Sequence, residues 1–229
     1  MLMGAAQIPP PNIPRRWHRA CFIEIVKLLV RLFSLVILSL SASAADLASE
    51  VVAEMSLART APQQYAQIVA SRLVGYRGVE GEKVVREAVR FLEKSRPLPP
   101  LAYSDGIAQG ALTHVLDMGP AGGRGHRGSN GSQPWDRMAR FGQWIGHAGE
   151  NIDYGVRDAR AIVIRLIVDD GVKGRGHRKN IFSKNFRVAG AAAGFHAQYG
   201  RMTVIDFAGA FVETPGRVAV RSALPGAPL

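Results

Sequence analysis

Two histidines and one carboxylate are the side chains in this sequence whose types and spacing best suit chemistry. His126 and His177 each sit inside the same pentapeptide, Gly-Arg-Gly-His-Arg, which occupies residues 123–127 and again residues 174–178. Between the two copies lies the run from Gly149 through Glu150, Asn151, Ile152, Asp153 and Tyr154 to Gly155. Glycine on both sides of a histidine permits turn geometry and leaves the imidazole uncrowded. Two neutral imidazoles and a carboxylate brought together can hold zinc or another divalent metal with one position open, or grip a polar ligand. The open position admits a water for hydrolysis or an oxygen of a ligand. A plainer reading has Glu150 satisfying backbone donors, Asn151 fixing the supporting turn and the histidines closing loops. His147, three residues before Glu150, suits a solvent-facing place, and His114 a packed or surface one. The residues flanking the two pentapeptides differ, so they do not indicate a duplicated domain.

Other chemistries are disfavoured. There is no serine–histidine–acid spacing and no His-Glu-x-x-His helix. The single cysteine, Cys21, precedes the segment expected to remain after export, so thiol catalysis and cysteine-ligated metals fall away. The net charge is +11, and removing the four net positive charges of residues 1–44 leaves about +7. A basic body favours anionic envelopes, lipids or polysaccharides. Nucleic acid is disfavoured because the arginines are scattered with no interleaved aromatic ladder.

The elements that must position these residues follow from periodicity. Residues 1–44 read as a signal peptide: arginines, an apolar run from Leu32 to Leu40, then Ala42-Ser43-Ala44 before a cut at Ala45. Secretion or delivery to the periplasm is therefore expected, with anchoring by an uncleaved leader as the alternative. Residues 45–100 form an N-terminal helical segment: a helix from Ala45 that restarts at Pro62, a glycine break at Gly75, Gly78 and Gly81, then an amphipathic helix from Glu82 to Lys94. Residues 101–213 carry the motifs. Ser104 caps a helix to Met118 with Ile107, Ala111, Leu112, Val115 and Leu116 on one face. A short helix from Pro134 to Phe141 offers Trp135, Met138 and Phe141 as core anchors. The Glu150 run is a short strand or extended turn, and Asp158 starts a helix, apolar nearly all round, that ends at Asp169. Acids at that end call for a compensating cation, from His177, Lys173 or Arg175. Residues 187–195 and 202–207 form a hairpin, and 214–229 a loose tail.

These motifs together resemble the CAP superfamily (cysteine-rich secretory proteins, antigen five and pathogenesis-related proteins), in its bacterial secreted SCP-domain branch. The helix at 104–118, His126, Glu150-Asn151-Ile152, His177-Arg178-Lys179-Asn180-Ile181-Phe182, Gly190 and the strand 204–207 carry the resemblance, in the family's order over about residues 57–212. It implies an α+β fold, a three-layer α-β-α sandwich in one domain, with a cleft lined by two histidines and two acids. His126 and His177 match the cleft histidines, Glu150 the acid beside the asparagine, and Asp169 the acid ending the helix before the second histidine. The segment 75–100 departs from the family's usual spacing, and the disulfides of its eukaryotic members are absent. The family's common association is with binding, of a lipid, a peptide or an envelope component; a metal-dependent extracytoplasmic hydrolase is the alternative.

Overall fold

The computed structural model describes residues 47–217. The expected signal peptide, and the expected tail beyond residue 217, lie outside the described residues. The described chain runs α1 (residues 47–60), α2 (Pro62–Ala70), α3 (Glu82–Lys94), β1 (Ala102–Tyr103), α4 (Asp105–Met118), α5 (Pro134–Met138), β2 (Gly142–Tyr154), α6 (Ala159–Val168), α7 (Gly176–Ile181), β3 (Val188–Gly194) and β4 (Met202–Glu213). The four strands form one sheet in the order β1-β3-β4-β2, with β1 parallel to β3 and the other pairs antiparallel. No described helix is long and apolar enough to cross a membrane.

Side chains alternate across a strand, so each face of the sheet needs its own cover. On one face Ala111 and Val115 of α4 pack on Ile152, Ala192, Met202 and Val204, while Ile107 and Met138 pack on Val188 and Ala208. On the other, Ile205 and Phe207 meet a larger core drawn from α1, α2, α3, α6 and Ile181 of α7. The result is the expected α-β-α sandwich. The small residues of β3 let α4 lie close: a Cβ on Gly190 would stand 2.2 Å from the amide nitrogen of Ala108.

Local signals act as expected at the helix ends. The Ser104 hydroxyl accepts the amide of Ile107, and Glu213 at the end of β4 accepts from Ser104 Oγ and the amide of Gly106. Asp158 accepts the amide of Ala161 to start α6. The segment of unusual spacing is tied down by Asp170, whose carboxylate accepts from the amides of Val79 and Glu80 and from the Tyr76 hydroxyl.

Three expectations are corrected. The short helix ends at Met138 rather than Phe141. It turns Pro134, Arg137 and Met138 inward, at helical spacing, which leaves Trp135 42% exposed instead of in the core. Leu116 is 66% exposed, because α4 buries Ile107, Ala111 and Val115 and the next residue falls about 100° off that stripe.

Arg59 closes the α1 side of the sandwich. It is fully buried and donates to the carbonyls of Pro99, Ile181, Ser183 and Phe186. Burial, with Arg187 nearby, lowers its pKa to about 10, so it remains charged at neutral pH. Arg59→Leu takes a donor from four carbonyls, of which those of Ser183 and Phe186 keep another, and is expected to cost about 3–5 kcal/mol. Urea unfolding should show this as a lower midpoint at an unchanged slope.

Candidate functional site

Strand β2 is the edge of the sheet, and the site is assembled on two of its consecutive residues. Glu150 shares a face with Ile152, the α4 side, and Asn151 turns to the opposite face. Each histidine comes to β2 from a different layer.

On the α4 side, the Glu150 side chain is 1% exposed. One oxygen takes Arg137 at 2.5 Å and the other meets Nδ1 of His126 at 2.8 Å. An ionised carboxylate only accepts, so Nδ1 of His126 carries the proton and Nε2 presents its lone pair. Arg137 also donates to the carbonyls of His126 and Ser132, which fixes the glycine-rich loop to the strand. Two buried histidines hold the same loop from behind. Nε2 of His114 donates to the carbonyl of Gly125 at 2.8 Å, and Nε2 of His196 to that of Gly123 at 2.9 Å. Burial lowers the pKa of His114, keeping it neutral. His114 is thus a packing residue, and His147 is exposed on a bulge of β2 where Gly146 takes φ 82°.

On the other side, the Asp169 carboxylate meets Nδ1 of His177 at 2.6 Å and accepts the amide of the same residue at 2.9 Å. Asp169 can do so because it ends α6 in the left-handed region, at φ 56°. The Asn151 amide donates to the carbonyl of His177, and Asn180 donates to Asn151 Oδ1 and to the carbonyl of Glu150. The cations at the end of α6 are Arg178, on the carbonyls of Ile167 and Val168, and Arg175, on that of Asp169; His177 serves the Asp169 side chain instead. Lys173 has no such role. Nearby Asp153 is buried, and desolvation lifts its pKa to about 6 against the pull of Arg165, 3.4 Å away.

The structure thus joins His126 to Glu150 and His177 to Asp169, one pair on each side of the edge strand. Among the described residues no group of three or more His, Cys, Asp or Glu side chains is arranged to hold a metal ion. Glu150 is fully engaged and cannot be the third ligand of the two imidazoles. What the two pairs share is an imidazole oriented through Nδ1 by a buried carboxylate.

Three contributors escape sequence reasoning: Arg137, His196 and Asp206. Asp206 stands directly opposite Glu150 in the β2–β4 register, fully buried, and neither oxygen has a hydrogen-bonding partner among the described residues. Burial first, and the Glu150 charge second, push its carboxyl well above the ordinary carboxylate range. Burial and the Glu150 charge thus both favour its neutral form, which would relieve the repulsion from Glu150. An acid inside the apolar run from Val204 to Phe207 is the sign that could have exposed it.

Comparison with known proteins sets these features in a family. The family model described as CAP, the cysteine-rich secretory protein family, matches residues 75–207, more than half of the chain. No curated protein matches. Among solved structures, an outer surface protein of Borrelia burgdorferi is 15% identical at a TM-score of 0.42, over 48% of this chain and 78% of that one. An extracellular SCP-domain protein of Bacillus anthracis is 22% identical at a TM-score of 0.39, over 56% of this chain; the match spans 39% of that longer protein.

The two raised acids give separable pH signatures. A carboxyl whose pKa is higher folded than unfolded stabilises fully below the unfolded value, and that stability is lost as pH rises through the folded value. Asp153→Asn should therefore gain on the parent between about pH 4 and 6, by about 3 kcal/mol in all, and then level off. Asp206→Asn should likewise gain on the parent as pH rises above the ordinary carboxylate range, at up to about 1.4 kcal/mol per pH unit. Urea unfolding of the three proteins from pH 4 to 8 reads both.

Proposed function

The chain belongs to the cysteine-rich secretory protein (CAP) family, and from that premise we propose that it is an exported binding module whose ligand site is the pair His126 and His177. The two imidazoles share one ligand around the edge of β2, either a divalent cation such as zinc or a polar group of an envelope component, peptide or lipid headgroup. The observation that carries this reading is the treatment of both histidines: each has Nδ1 tied to a carboxylate that is 1% exposed, which leaves Nε2 as the working nitrogen. Such a contact fixes the tautomer and direction of the ring, as it does for histidines that ligate metals. A cation bound there would offer its open positions to an anionic or carbonyl oxygen of the ligand.

The alternative of a metal-dependent hydrolase has less support. A general base must be free to take a proton from water. Glu150 is held by Arg137 and His126, and Asp169 is spent on the ring and amide of His177. The acids position the histidines and are not free to react.

Zinc titration followed by the histidine ring resonances tests the reading. Nε2 signals of His126 and His177 should move together at micromolar metal, and His126→Ala or His177→Ala should abolish the response of the other. Glu150→Gln removes the charged acceptor and should weaken zinc roughly 10–100-fold. Independent responses of the two rings would show two separate sites, and no response to zinc would remove the metal from the proposal.

A further inference from the structure

The far end of β2 and the turn between β3 and β4 gather three guanidinium groups that have no carboxylate partner among the described residues. Arg124 lies over the rings of Tyr154 and Tyr199, 5.8 and 5.4 Å from their centroids. The Arg157 guanidinium comes within 3.8 Å of where a Cβ on Gly200 would be. Arg201 is the next residue, its carbonyl bound by the amide of Gly155 and its Nε buried without an acceptor. Burial, and then the charge of Arg157, lower the pKa of Arg201, which marks the two as close and unneutralised. The acid nearest in sequence, Asp158, is turned away to cap α6. The same turn carries Phe195, 65% exposed, and Tyr199, 40% exposed.

Uncompensated arginines beside an exposed phenyl ring form an amphiphilic surface: the cations suit phosphate, and the ring suits the boundary of an acyl layer. We propose that this end of the molecule docks on an anionic phospholipid surface, with Arg157, Arg201 and Arg124 at the headgroup phosphates and Phe195 entering the interface. A single-stranded nucleic acid fits less well. It needs open aromatic faces for base stacking. Here Tyr199 is packed against Tyr154 at 5.3 Å and His196 at 5.1 Å, with Arg124 over it. A folded protein partner would be expected to present carboxylates and an apolar pocket, whereas a lipid surface supplies the charge and the apolar layer without a matched shape. The inference does not depend on the histidine pair, although Arg124 belongs to the pentapeptide that carries His126.

The test is sedimentation of the full chain with phosphatidylcholine vesicles and with vesicles of equimolar phosphatidylcholine and phosphatidylglycerol, together with hydrogen exchange on the bound protein. Any attachment through other segments is common to all variants, so the quantity read is the gain on going from neutral to anionic vesicles. That gain should fall roughly thirtyfold in the double variant Arg157→Ala, Arg201→Ala, and roughly fivefold in Arg157→Ala alone, whose side chain is exposed and whose loss spares the fold. Phe195→Ser should lower binding to the anionic vesicles at unchanged stability. Amides of residues 195–201 should exchange more slowly on anionic vesicles and unchanged on neutral ones. Full retention of the anionic gain by Arg157→Ala, or no slowing of exchange in the turn, overturns the proposal. So does binding of an oligonucleotide through the same arginines by a protein that ignores the vesicles.

Discussion

A buried carboxylate has to be completely satisfied, and the site rests on the way Glu150 is. Taking its charge out of water is expensive, and the cost is offset only by good partners on both oxygens. Arg137 supplies one and His126 the other. Removing a partner from such a pair typically costs about 3–5 kcal/mol, so the arrangement is firmly imposed. Because Arg137 also holds the carbonyls of His126 and Ser132, one ion pair sets both the strand residue and the loop above it. The position of the imidazole is a consequence of that pair. Asp206 lies behind it with its carboxyl pushed toward the neutral form by burial and by Glu150, and a second ionised carboxyl there would weaken the hold on Arg137 and His126.

The second histidine reaches the same end by different means. Its carboxylate comes from a helix terminus rather than a strand, and left-handed backbone at Asp169 swings that group toward His177. Acids at a helix C-terminus are unfavourable, and two arginines on the final carbonyls of α6 compensate. The two identical pentapeptides therefore solve different local problems. In the first, Arg124 stacks on tyrosines; in the second, Arg175 takes φ 54° and binds Glu80 and Glu87. Their likeness reflects a shared need for glycine around a histidine, not a repeated unit.

Much of the framework was legible in the order of residues. Apolar spacing located α3 and α4, and side-chain caps at Ser104 and Asp158 fixed two helix starts. The pairing of each histidine with an acid could not be read, because it depends on which layer approaches which face of β2. Nor could Arg137, whose charge reads as solvent-facing until the two flanking inward residues, Pro134 and Met138, show that its face is buried. Trp135 misled for the matching reason: residue type favours burial, but five residues of helix have one inward face, and it was already taken. His196 looked like part of a hairpin turn and is a buried support for the Gly123 carbonyl.

The site's place at a sheet edge ties its openness to its rigidity. An edge strand exposes backbone groups that another chain could pair with. Along β2 that hazard is met in two ways: the bulge at Gly146 and His147 breaks the register, and beyond it Asn180 of α7 takes the carbonyl of Glu150 while Asn151 reaches back to that of His177. One of the groups that blunt the edge, Asn151, also holds the backbone of His177. Side chains so fixed keep their geometry without a lid or a covering strand, and a ligand can approach from solvent. Rigidity of the site is therefore a property of the sheet edge and its flanking helix α7, rather than of any closing segment.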